Sequence, residues 1–137
     1  MDLQNLAYAL TQVAHNFGAV IVSGGAAAAY AGLRADAARP RRLAWLVLAG
    51  WAVQAVSGAG FGTISYAAYG SFPDLHGIAV AALIVKIGCA AGAFTLTALY
   101  LRFAAGWSMA SCRRAWAVLV ALAASALVAA AFLRWFS

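Results

Sequence analysis

Apolar positions run almost without interruption through four stretches of the chain, about 6–32, 43–66, 76–102 and 115–135, separated by short breaks rich in arginine, glycine or proline. A helix needs roughly 20 apolar residues to cross a hydrocarbon layer about 30 Å thick. Each stretch therefore predicts one spanning helix, and the breaks are too short to hold a soluble domain. The expected fold is all-α, an integral membrane four-helix bundle forming a single transmembrane domain over residues 1–137. In such a bundle the backbone hydrogen bonds close inside the helices, as lipid demands.

Polar positions are sparse and unevenly placed. The first helix opens with Gln4, Asn5, Thr11, Gln12, His15 and Asn16, and turns almost featureless after Gly18. The second carries Gly50, Gln54, Gly58 and Gly62 at four-residue spacing, which predicts one shared face and close helix packing. Gly88 and Gly92 repeat the device on the third helix. The segment from Tyr69 to Asp74 reads as a turn, with Asp74 expected to cap the third helix. Ser125 is the polar group in the middle of the fourth helix.

Composition agrees with the pattern: 66% of residues are hydrophobic and 9% charged, where a soluble domain carries about 25% charged residues. The net charge of +6 raises nucleic acid as a partner, but its distribution excludes that. Arg34, Arg39, Arg41 and Arg42 lie in or beside the first connection and Arg102, Arg113 and Arg114 in or beside the third. The second connection, 67–75, has no basic residue. The positive-inside rule then places connections one and three in the cytoplasm and both termini on the non-cytoplasmic side. The expected location is a bacterial-type inner (cytoplasmic) membrane, multi-pass, with the lipid bilayer as partner. Small-residue faces also predict a homo-oligomer or a subunit of a membrane complex. No basic segment precedes the first apolar run, so a retained helix is expected there rather than a signal peptide. Cys89 and Cys112 fall at different depths and predict free thiols.

The candidate chemistry lies at mid-depth. At about 1.5 Å per residue, His15 and Lys86 come to a similar level, with Gln54 and Ser125 close to it. Lys86 stands out, because a Lys at mid-membrane is costly and marks functional sites. Its sequence offers no counter-charge: Asp2, Asp36 and Asp74 all lie outside the apolar runs. Gln54 reads as interhelical glue or support, and Ser125 as bonded to its own helix.

Three chemistries suit a His and a Lys without a carboxylate. A neutral amine and a neutral imidazole are both lone-pair donors and could ligate a metal, the iron of a haem included. A charged ammonium would pair with an anionic substrate. A His could also serve a proton relay. His76 begins the third helix, about 15 Å from the level of Lys86, and reads as an interfacial residue rather than a second haem ligand. Copper(I) selects soft ligands, for which the chain offers Cys89 near Lys86 and the pair Met109 and Cys112.

The segments Ala14-His15-Asn16-Phe17-Gly18 with Ser23-Gly24-Gly25, and Tyr69-Gly70 through Leu83-Ile84-Val85-Lys86-Ile87, resemble CopD-type membrane domains. The chain is also similar to HemJ-type protoporphyrinogen oxidases, small four-helix proteins with a His in the first helix and a Lys in the third. That resemblance implies haem b as cofactor, held by His15 and Lys86 as metal ligands. In such a bundle Gln54 and the glycine faces of the second and third helices would shape the pocket, and Trp51 and Phe17 would pack on the porphyrin. It implies a haem-b redox protein or electron-transfer subunit. The stretch Gly25 to Tyr30 departs from the aromatic, Pro- and Arg-containing stretch of HemJ proteins, so oxidoreductase activity does not follow from it. The alternatives are a copper or small-anion transport protein using the same polar layer, and a structural subunit or assembly factor.

Overall fold

The computed structural model describes residues 3–34 and 40–136. Asp2, Asp36 and Arg39 lie outside the described residues. Four helices, α1 (Leu3–Arg34), α2 (Arg41–Tyr69), α3 (Ile78–Phe103) and α4 (Met109–Phe136), account for nearly all of the chain, and no strand occurs among the described residues. Each is long and apolar enough to cross a membrane. The helices alternate in direction. α1 packs on α2 and α3 on α4, and contacts of α1 with α4 and of α2 with α3 close the ring. α1 and α3 are therefore diagonal to one another.

The connections shift the expected boundaries for local reasons. α4 starts at Met109, six residues before the apolar run. There the Ser108 hydroxyl accepts the backbone N–H of Ser111 at 3.1 Å, satisfying one of the donors a helix start leaves open. Arg113 and Arg114 consequently sit on the helix, both exposed. α2 stops at Gly70, which adopts φ +70° and donates its N–H to the Tyr66 carbonyl at 2.9 Å. That left-handed conformation favours glycine. Asp74 does not cap α3. Gly77 holds the cap position without a side-chain hydrogen bond, and an Asp74 carboxylate oxygen instead lies 3.3 Å from His76 Nε2 in the exposed turn.

The α1–α2 seam is the tightest. A Cβ on Gly50 would meet Ile21 Cγ2 at 2.7 Å, and one on Gly25 would meet Val47 Cγ2 at 2.7 Å. The expected glycine face of α2 does not hold along its length: Gly58 has nothing within 4 Å of a Cβ position, and Gly62 meets only the Phe72 ring at 3.7 Å. Four-residue steps overshoot a 3.6-residue turn by about 40° each, so the row winds away from α1. Gly88 is likewise open, and Gly92 makes only ordinary contact with Leu122 at 3.9 Å.

Burial divides the bundle across its length. The large fully buried side chains, Leu33, Val47, Tyr100, Trp116 and Leu119 among them, fill the half that ends in arginines. In the other half α1 buries no described residue before Gly18, and α2 beyond Trp51 buries only Ser57 and Ser65. Buried positions of α3 and α4 there are alanines: Ala79, Ala82, Ala126 and Ala129. One half is a packed plug, the other a loosely packed vestibule, and the polar residues of α1 lie in the vestibule.

Candidate functional site: a His–Lys pair across the bundle

At the junction of vestibule and plug, Lys86 Nζ of α3 lies 3.0 Å from His15 Nε2 of α1. The other ring nitrogen, Nδ1, lies 2.7 Å from the Ser57 hydroxyl of α2. Ser57 Oγ is itself 2.6 Å from the Val53 carbonyl, one turn back on its own helix. A carbonyl only accepts, so the hydroxyl proton goes to Val53 and Ser57 Oγ is left to accept from His15 Nδ1–H. Assigned in this way, the network gives a neutral imidazole whose Nε2 lone pair accepts from Lys86. The hydrogen bonds run from Lys86 through His15 and Ser57 to the Val53 carbonyl, and they join three helices.

The support around this chain comes from α2. The Gln54 side-chain amide donates to the backbone carbonyl of His15, so Gln54 braces the helix that carries the imidazole rather than touching the ring. Gly18, one turn along α1, makes room for it: a Cβ there would stand 2.9 Å from Gln54 Nε2. The Phe61 ring stands edge-on to the imidazole, with centroids 5.6 Å apart and planes at 74°, and Tyr8 stacks on Phe61 at 6.4 Å.

Of the residues the pattern singled out, His15, Gln54 and Lys86 are brought together and Ser125 is not. Ser125 is exposed and lines a groove between α3 and α4 with Val85, Val128 and Phe132. The buried face of α4 runs through Ala123, Ala126 and Ala129. Trp51 is 2% exposed inside the plug, and Phe17 is 66% exposed on the outer surface, so neither flanks His15. Cys89 and Cys112 are buried free thiols. His76 lies in the exposed turn with Asp74. Among the described residues no three His, Cys, Asp or Glu side chains gather where they could hold a metal ion. Ser57 and Phe61 were missed. Their signal is spacing: Ser57 follows Gln54 by three and Phe61 follows Ser57 by four, one face of α2.

The donor pair does not fit a shared iron as arranged. His15 and Lys86 are in direct hydrogen-bond contact at 3.0 Å, which leaves no room for a metal ion between the two nitrogens in this arrangement. What the arrangement can do is present an amine. Lys86 carries three N–H donors when charged; one goes to His15, and no other hydrogen bond from Nζ is formed among the described residues. Compared with known proteins, the chain matches no family model, no curated protein sequence and no solved structure.

Proposed function

We propose that this chain is a multi-pass membrane protein that receives a small anion at Lys86, as the binding step of a transport function. The observation that carries the reading is an amine inside the bundle whose bonded partner is a neutral imidazole and not a carboxylate. An ammonium taken out of water needs an opposite charge or a dense set of acceptors. Asp74 is the one carboxylate side chain among the described residues, and it sits in the exposed turn beside His76. A bound anion supplies the missing charge, using the two N–H donors that His15 leaves free.

Access supports the same reading. The vestibule half of α1 carries Gln4, Thr11, Gln12 and Asn16 on the way to His15. Gln4 bonds the Tyr69 hydroxyl at 2.8 Å and Gln12 bonds Asn16 at 2.7 Å. The plug of Leu33, Val47, Tyr100, Trp116 and Leu119 closes the far side. An anion would arrive through the vestibule and stop at Lys86, and onward passage would require the plug to open.

The test is thermal unfolding of the detergent-purified protein in chloride, nitrate, sulfate and phosphate at constant ionic strength, repeated on Lys86→Gln. Stabilisation that depends on the identity of the anion and vanishes in the variant is expected. An equal response of both proteins overturns the reading. An absorption spectrum taken on the same sample, oxidised and reduced, separates this reading from a haem-b protein: no Soret band is expected, and a Soret band lost in both His15→Ala and Lys86→Ala would put the haem reading in its place.

A further inference from the structure

We infer that the arginine-rich end of the bundle holds a specific site for an anionic membrane lipid, in the crevice between α3 and α4 beneath Arg114. The crevice has a volume of about 310 Å³ and is walled by Leu96 of α3, Trp107 of the connection, and Ser111, Arg114 and Ala115 of α4. Its lining combines a polar and an apolar part. Arg114 gives the rim an exposed guanidinium, a planar fork that matches two phosphate oxygens at once. Beside it the Ser111 hydroxyl is held in place by Ser108 Oγ at 2.9 Å. Leu96 and Ala115 make the remaining wall apolar, and Trp107 is fixed edge-on against Tyr100 with ring centroids 6.0 Å apart. A phosphate at the rim continued by an acyl chain along Leu96 uses both parts. Free phosphate would use only the first.

The charge around the crevice points the same way. Arg41, Arg42, Arg102, Arg113 and Arg114 share this end of the bundle, and among the described residues no Asp or Glu joins them. Arg102 lies over the Phe103 ring at 5.6 Å, and Arg114 forms no salt bridge among the described residues. Arg41 and Arg42 also open α2, where the helix dipole already presents positive charge. Nothing within the described chain neutralises this end, and an anionic headgroup does so. Basic pockets between spanning helices bind such headgroups. The inference is independent of the role of Lys86.

Delipidated protein in a neutral detergent, examined by native mass spectrometry and thermal unfolding, tests it with phosphatidylglycerol, phosphatidylcholine and inorganic phosphate as probes. Phosphatidylglycerol is expected to stay bound and to raise the unfolding temperature, and phosphatidylcholine to do neither. Arg114→Gln should weaken phosphatidylglycerol binding at least tenfold, while Arg113→Gln, outside the crevice, should leave it within twofold. Leu96→Trp fills the apolar part without altering charge and should also weaken binding, which keeps the test decisive should Arg114→Gln not fold. Equal effects of the two lipids, unchanged binding in both crevice variants, or full stabilisation by inorganic phosphate alone would each overturn the assignment.

Discussion

Lys86 and His15 stand seventy-one positions apart in the chain, and their side-chain nitrogens meet at 3.0 Å across the diagonal of the bundle. α1 and α3 are not neighbours in the ring of helices, so the contact depends on the long lysine stem reaching over the centre. The imidazole it meets is oriented from a third helix through Ser57. No two-helix fragment contains the complete chain of bonds, so the site exists only once α1, α2 and α3 have assembled. At its level, where the packed plug gives way to the vestibule, an amine that holds a solute and one that fastens helices differ in what their removal does.

That distinction sets the expected behaviour of Lys86→Met, which keeps the length of the side chain and removes its charge and donors. Interhelical polar contacts in membranes average about 0.6 kcal/mol and reach about 1.7 kcal/mol. Unfolding in mixed micelles should therefore show a loss of about 1 kcal/mol or less, while the stabilisation by anions disappears. A loss of several kcal/mol with the anion response intact would make the pair structural glue.

Ser57→Ala probes the imidazole from its other side. The serine hydroxyl also bonds the Val53 carbonyl of its own helix, so alanine leaves α2 unharmed. It removes the acceptor at Nδ1. Nitrogen NMR of the histidine-labelled protein should report Nδ1–H and a bare Nε2 for His15 in the wild type. In the variant the Nε2–H tautomer should gain population and the coupling to Lys86 should weaken. Identical ring shifts in both proteins would show that Ser57 does not orient the ring.

The glycines separate close packing from mere small size. Gly50→Ala would bring its Cβ to 2.7 Å from Ile21 Cγ2 and 2.9 Å from Val22 Cγ1; overpacking of this kind costs about 1–3 kcal/mol. Gly58→Ala and Gly88→Ala meet nothing within 4 Å and should be neutral or stabilise by about 0.4–1 kcal/mol, because alanine has less chain entropy to lose. Unfolding midpoints of the three variants check this order. An unharmed Gly50→Ala would mean that the α1–α2 seam is looser than the structure describes.

Four helices were legible in the sequence because unbroken apolar runs of spanning length have few other solutions. The shared level of His15 and Lys86 was legible too, since helical rise converts counting into depth. What counting could not supply was azimuth. Gln54 and Ser125 were placed at the right depth, but rotation about the helix axis turns Gln54 onto the His15 carbonyl and leaves Ser125 on an exposed groove. Ser57 was passed over because a serine in an apolar helix ordinarily bonds its own backbone. Here it does so while also accepting from His15, a second role that depends on the register of α2 against α1. The start of α4 was hidden by Arg113 and Arg114, charges that read as a loop until the Ser108 cap is seen.

Orientation in the membrane gives the last prediction, and it bears directly on function. Arg41, Arg42, Arg102, Arg113 and Arg114 lie at the plug end of the bundle, and the positive-inside rule predicts that this end faces the cytoplasm. Ser71→Cys in the α2–α3 connection and Ala105→Cys in the α3–α4 connection report the two ends, both positions being exposed. The native thiols Cys89 and Cys112 are 8% and 0% exposed and should contribute little background. In intact cells a membrane-impermeant maleimide should label Ser71→Cys at once and Ala105→Cys only after permeabilisation. The vestibule then opens outward, and an anion reaching Lys86 comes from outside the cell. The reverse labelling would turn the bundle over, load the site from the cytoplasm, and require the arginine end to face outward against the charge rule.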